Sequence, residues 1–170
     1  AYYEQADWPV FCGGQSLLGV AAGEFADSYK PAWKFNAGSE VKSSPVVKGG
    51  VVYFGCSEGK IYAVSLDGGK QVWEFAASDA IEGSGCVVGG KVFFGSADGF
   101  IYALETKSGD LAWKYATDGK ILGGVNWVRA ADGESIWILA GSYDSILHCV
   151  DSVTGEVRWT YETDNYINGT

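Results

Sequence analysis

The amino-acid sequence predicts an all-β protein assembled from repeated four-stranded antiparallel units, and three observations carry that prediction. The first is composition: 170 residues include 25 glycines, 7 Trp, 10 Tyr and 8 Phe but only 3 prolines. Aromatic and β-branched side chains suit a pleated, half-buried surface, and glycine supplies the left-handed backbone of tight turns. The second is an internal repeat, in which residues 41–75 align with residues 81–115 at an offset of 40. Gly55 falls on Gly95, Ile61 on Ile101, Tyr62 on Tyr102 and Trp73 on Trp113. The third is turn chemistry at even spacing, namely Lys48-Gly49-Gly50, Ser57-Glu58-Gly59 and Asp67-Gly68-Gly69.

These turns divide the first unit into expected strands at 41–47, 51–55, 60–65 and 71–75. Links this short join antiparallel neighbours, so the unit is a meander. The second strands, VVYFG and KVFFG, are apolar on both faces, as expected of a sheet covered on both sides. One such sheet cannot bury itself, so the units must stack face to face. Expected blades run over about 41–76, 81–116 and 121–162. The second half of the third copy is shifted by 46 rather than 40, because six residues are added near 126–134. This insertion lies between the first two strands of its unit and carries Trp127, Arg129 and Asp132. Being the one irregularity of the array, it is the candidate partner-binding site.

The link from third to fourth strand carries the most specific motif. It reads AVSLDGGKQVW, ALETKSGDLAW and CVDSVTGEVRW, with glycine seventh (Gly69, Gly109, Gly155) and tryptophan eleventh (Trp73, Trp113, Trp159). This resembles the tryptophan-docking motif of pyrroloquinoline-quinone-like (PQQ-like) repeat β-propellers, of the quinoprotein alcohol dehydrogenase-like superfamily. Ser65 and Glu105 stand where the family pattern has Asp, which Asp151 keeps, and Cys149 stands for Ala. The resemblance implies that each indole docks on a glycine turn of the neighbouring blade. It also implies a ring of typically eight blades.

Trp33, 40 residues before Trp73, reads as a docking tryptophan on an orphan outer strand, and residues 166–170 read as the start of a further blade. The expected fold is therefore a partial ring: three full blades plus that orphan strand, over residues 32–170. Residues 1–31, with DWPVFCGGQSLLGVA, resemble the leader that opens many secreted members of the family. The remaining blades are expected from residues outside this sequence or from another chain.

The formal net charge of −9, from 12 basic and 21 acidic residues, argues against nucleic-acid binding, which needs a basic footprint. No run of 18 apolar residues exists to cross a membrane as a helix. The four cysteines (Cys12, Cys56, Cys86, Cys149) have no metal-like spacing, and sequence alone leaves a disulfide open. Glu58, Asp98 and Asp144 recur at one turn, where they cap the turn or form a carboxylate ring able to hold Ca²⁺. His148 replaces Tyr62 and Tyr102 and is expected to be a packing residue. No catalytic, cofactor-binding or metal-binding residue is assigned. The resulting expectation is a non-catalytic binding scaffold of an exported, periplasmic or extracellular protein, presenting loops to a protein or glycan partner. The alternative implied by the resemblance is part of a PQQ- and calcium-dependent alcohol or sugar dehydrogenase. Such an enzyme is expected to carry a disulfide of adjacent cysteines, and this sequence has no such pair.

Overall fold

A computed structural model of the chain describes residues 7–14, 19, 28 and 30–169. It contains three four-stranded antiparallel sheets, each with its strands in chain order. The first blade is β1 (Val46–Lys48), β2 (Val51–Gly55), β3 (Lys60–Ser65) and β4 (Gln71–Ala76). The second is β5 (Cys86–Val88), β6 (Lys91–Gly95), β7 (Phe100–Glu105) and β8 (Leu111–Ala116). The third is β9 (Asn126–Arg129), β10 (Ile136–Gly141), β11 (Ile146–Asp151) and β12 (Val157–Glu162).

The first strand of the first blade is shorter than the expected 41–47, and the sequence explains why. Pro45 has no N–H to donate to a ladder. Ser43 does the pairing instead: the Gly55 N–H donates to Ser43 Oγ at 2.7 Å, and that hydroxyl donates to Gly55 C=O at 2.9 Å. Gly55 is glycine for a second reason. An added Cβ there would overlap the Ile81 side chain arriving from the next blade, and Gly95 with Ile121 and Gly141 with Ile167 repeat the arrangement. The same three isoleucines donate their amides to Cys56, Ser96 and Ser142 carbonyls.

Blades pack face to face, which is why β2 and β6 are apolar on both sides. Tyr53, Ile61, Ala63 and Trp73 meet Ile81, Val87, Val92, Phe94 and Leu104 at the first junction. Cys86, Phe93, Ile101 and Ala103 meet Ile121, Val125, Ile138, Ala140 and Val150 at the second. Phe93, Phe94, Ile61 and Ile101 are fully buried, each contributing about 1.5–3 kcal/mol of transfer free energy. All four cysteines carry free thiols.

Residues 31–36 pair with no strand among the described residues, although Trp33 and Phe35 pack against the first blade. The N-terminal segment does more than precede the first blade. Its residues 7–13 form a strap across the inner edges of two blades. Asp7 accepts the Gly49 N–H at 2.9 Å and faces Lys48 Nζ at 2.6 Å. Trp8 exchanges backbone bonds with Val47 at 2.7 and 2.8 Å, and the Pro9 carbonyl accepts the Val87 N–H at 2.7 Å. Val10 is fully buried in the second junction. At the third blade the equivalent amide, Trp127 N–H, is taken at 2.7 Å by the Asn126 side chain instead.

Candidate functional site

The conspicuous residues of the motif form the seams between blades. Trp33 Nε1–H donates to Leu66 C=O at 2.8 Å, Trp73 to Thr106 at 2.9 Å and Trp113 to Ser152 at 3.2 Å. Gly69, Gly109 and Gly155 hold φ of +66°, +77° and +74°, each in the blade that follows the indole. A Cβ at these glycines would come within 2.6 or 2.7 Å of Trp33, Trp73 and Trp113 respectively. Trp159 has no glycine turn over it among the described residues and is 39% exposed.

The added length lies between β9 and β10, but not over all of 126–134. Trp127 sits on β9 at the register of Val47 and Val87. The six extra residues are the Arg129–Ile136 pair, which lengthens the hairpin, and a 130–135 loop in place of a two-residue turn. Asp132 organises the loop. Its Oδ1 accepts the Glu134 and Ser135 amides at 2.8 Å each, and its Oδ2 accepts the Ser135 hydroxyl at 2.6 Å. These bonds, the Ser135 hydroxyl first, hold its carboxyl below the ordinary range. Arg129 Nη1 donates to Gly133 C=O at 3.2 Å. Arg129, Asp132 and Glu134 are exposed, whereas Trp127 is half-buried against the second-junction core. The loop therefore projects a mixed-charge tip from a rigid base. It lies at the same end of the blades as the docking turns, because antiparallel meanders return every second turn to one end.

At the opposite end two of the recurring carboxylates, Asp98 and Asp144, hold turns and blades together. Asp98 Oδ1 accepts the Phe100 amide at 3.1 Å, and Oδ2 accepts Ser78 N–H from the preceding blade at 3.0 Å. Asp144 does likewise with Ile146 at 2.9 Å and Asp118 at 3.0 Å. Tyr102 donates to Asp98 at 2.7 Å. In the third blade His148 takes that place, with Nε2 3.1 Å from Asp144 Oδ2 and Nδ1 3.1 Å from the Tyr115 hydroxyl. Burial first, then the negative charge of Asp144, pushes the Tyr115 hydroxyl above its ordinary range. The tyrosine, histidine and carboxylate form a buried cross-blade chain whose ends are both used in packing. With Asp98 and Asp144 occupied by backbone amides, no group of three His, Cys, Asp or Glu among the described residues is placed to hold a metal ion.

Comparison with known proteins places this architecture. The family profile described as outer membrane protein assembly factor BamB matches residues 25–166. The chain belongs to the BamB family of PQQ-like repeat β-propellers. BamB from Moraxella catarrhalis superposes with a TM-score of 0.65 at 26% identity, over 77% of this chain and 39% of that one. A quinohemoprotein alcohol dehydrogenase from Comamonas testosteroni superposes at 0.75 with 20% identity, over 91% of this chain and 27% of that one. A europium-containing methanol dehydrogenase gives 0.63 at 21% identity, over 76% and 26%. The two dehydrogenases share the fold at these identities. This BamB-family chain thus spans well under two thirds of each of these structures. A search of curated protein sequences matched none. Among the described residues no helix is long and apolar enough to cross a membrane.

Proposed function

We propose that this chain is part of a non-catalytic binding propeller of an exported protein, acting in the periplasm or outside the cell. It presents the inserted hairpin to a protein partner. The observation that carries this reading is the contrast between the two ends of the blades. At one end the groups with chemical potential, Asp98, Asp144 and His148, are consumed in structural hydrogen bonds. At the other, Arg129, Asp132 and Glu134 stand exposed on a loop whose shape Asp132 fixes from within. A preformed loop binds without a large ordering cost. The BamB-family match supports a partner that is a component of outer-membrane protein assembly. Glycan binding is the second form of the same reading.

The test is site-specific photocrosslinking from position 129 in the natural host. Alongside it, partner capture by wild type is compared with an Arg129→Glu, Glu134→Lys variant. The variant should keep its melting temperature and lose capture by at least about tenfold. Unchanged capture removes the hairpin from the argument. The dehydrogenase alternative is tested by adding pyrroloquinoline quinone and Ca²⁺ to the intact protein and following dye reduction, where robust turnover sinks the scaffold reading.

A further inference from the structure

The lengthened hairpin gives the third blade something neither other blade has, an extra residue on the inner edge of its sheet. Ala130 N–H donates to Ser135 C=O at 2.9 Å and closes a hydrogen-bonded pair. Bonded and non-bonded pairs alternate along an antiparallel ladder, so Arg129, opposite Ile136, turns its own N–H and C=O away from β10. Both groups therefore face the outer side of β9. Neither has a hydrogen-bond partner among the described residues, and Arg129 is exposed.

The first two blades show what such an edge takes. Val47, opposite Val52, has the same parity as Arg129. Its N–H donates to Trp8 C=O at 2.8 Å and its C=O accepts Trp8 N–H at 2.7 Å, an antiparallel bridge to the strap. Val87, the equivalent of Val47 in the second blade, donates its N–H to Pro9 C=O at 2.7 Å. The strap then leaves the edge, because Val10 is buried in the second junction and Gly13 N–H turns back to Val10 C=O at 2.9 Å. In the third blade the Asn126 side chain takes the amide of Trp127, the equivalent of Val47. Arg129 lies two residues further along that edge, where the first blade has a turn glycine, Gly49, bonded to Asp7. The Arg129 guanidinium is drawn to the loop, with Nη1 donating to Gly133 C=O at 3.2 Å. An edge residue with both main-chain groups turned outward is a template for another strand.

We propose that the β9 edge at Arg129 pairs antiparallel with an extended strand of a partner protein, continuing the row that the strap fills on the first two blades. Arg129 N–H donates to a carbonyl of that strand, and Arg129 C=O accepts one of its amides. The proposal rests on the binding reading above and names how the hairpin holds its partner, through main chain as well as side chains.

The probe is the neutral peptide acetyl-Thr-Val-(4-fluoro-Phe)-Val-Thr-amide, titrated into the full chain labelled with ¹⁵N-arginine. Arg129 and Arg158 are the two arginines of the sequence, so two backbone amide signals appear, and Arg158→Lys assigns them. The Arg129 signal should shift saturably with a millimolar Kd while the Arg158 signal stays in place. The ¹⁹F shift of the peptide gives the affinity of variants. Arg129→Pro removes an N–H that does not bond to β10, a change that edge strands tolerate. It should bind at least about fivefold more weakly than Arg129→Ala, which keeps the N–H and equally lacks the guanidinium. The same peptide N-methylated at its three central residues should not bind, and it carries the test should Arg129→Pro not fold. An Arg129 signal unmoved by about 10 mM peptide overturns the proposal, as does equal binding of the N-methylated peptide or equal affinities of folded Arg129→Pro and Arg129→Ala. Slow hydrogen exchange of the Arg129 amide in the chain alone also overturns it. Protection independent of protein concentration assigns the edge to this chain's own residues, and protection that grows with concentration assigns it to a second copy. Peptide binding tests the edge alone, whereas partner capture by the Arg129→Glu, Glu134→Lys variant tests the hairpin side chains, so the two readings fail separately.

Discussion

The Trp73 indole of the first blade lies directly against Gly109 of the second, so closely that a Cβ at position 109 would stand 2.7 Å from ring atom Cδ2. Gly109 also holds φ at +77°. Gly109→Ala therefore combines left-handed strain with overpacking and should destabilise by about 2–4 kcal/mol. Gly89 isolates the first contribution, since its φ is +59° and a Cβ there would meet nothing within 4 Å. Gly89→Ala should cost about 1 kcal/mol. Urea midpoints of the two variants measure the difference, and equal costs would show that the indole yields freely.

The same seam predicts unequal responses among chemically identical tryptophans. Trp113→Phe removes the donor to Ser152 C=O and part of the indole surface packed on Gly155. It should lower stability by about 1–3 kcal/mol. Trp159, 39% exposed and without a glycine turn above it among the described residues, should tolerate Phe within about 0.5 kcal/mol. Thermal melts of the two variants check the ranking, and a larger loss at position 159 reverses it.

How much of this was legible beforehand follows from where the information lies. Strands two to four of the first blade, expected at 51–55, 60–65 and 71–75, are found at Val51–Gly55, Lys60–Ser65 and Gln71–Ala76. Their boundaries are set by glycine turns that sequence displays directly. The first strand was overestimated because SSPVV looks extended, whereas Ser43 replaces the ladder with its own side chain. The strap over β1 and β5 was invisible because backbone groups make it, and residues 7–13 carry no periodicity. Asp98 and Asp144 were readable as turn caps, but not as ties to Ser78 and Asp118 of the blade before.

The strap predicts that a residue 36 positions before β1 stabilises the second junction. Val10 is fully buried among Cys86, Phe93 and Val125, so Val10→Ala opens a cavity and should cost about 2 kcal/mol. Asp7→Asn loosens only the exposed pair with Lys48 and should cost about 0.5 kcal/mol. Denaturant titration with an unchanged slope would assign the Val10 loss to packing. A Val10→Ala variant as stable as wild type would mean that the strap is dispensable.

The acid limb of stability should depend on Asp144. Burial opposes its ionisation, but hydrogen bonds led by the Ile146 amide, with Asp118 N–H and His148 among the others, outweigh it and hold the carboxyl below its ordinary value of 3.8. A carboxyl depressed on folding stabilises the native state above the unfolded pKa, and that contribution fades as pH falls through the lower folded value. The window is therefore below about pH 4, with full effect at neutrality. Asp144→Asn cannot bind a proton there, so it should be clearly less stable than wild type at about pH 7 and close to it at about pH 2.5. Asp7 and Asp151, whose carboxyls are also lowered, titrate alike in both proteins and cancel in the comparison. Urea midpoints of the pair at the two pH values decide the matter. A gap that stays constant between them would place the contribution of Asp144 in its shape and packing, independent of its charge.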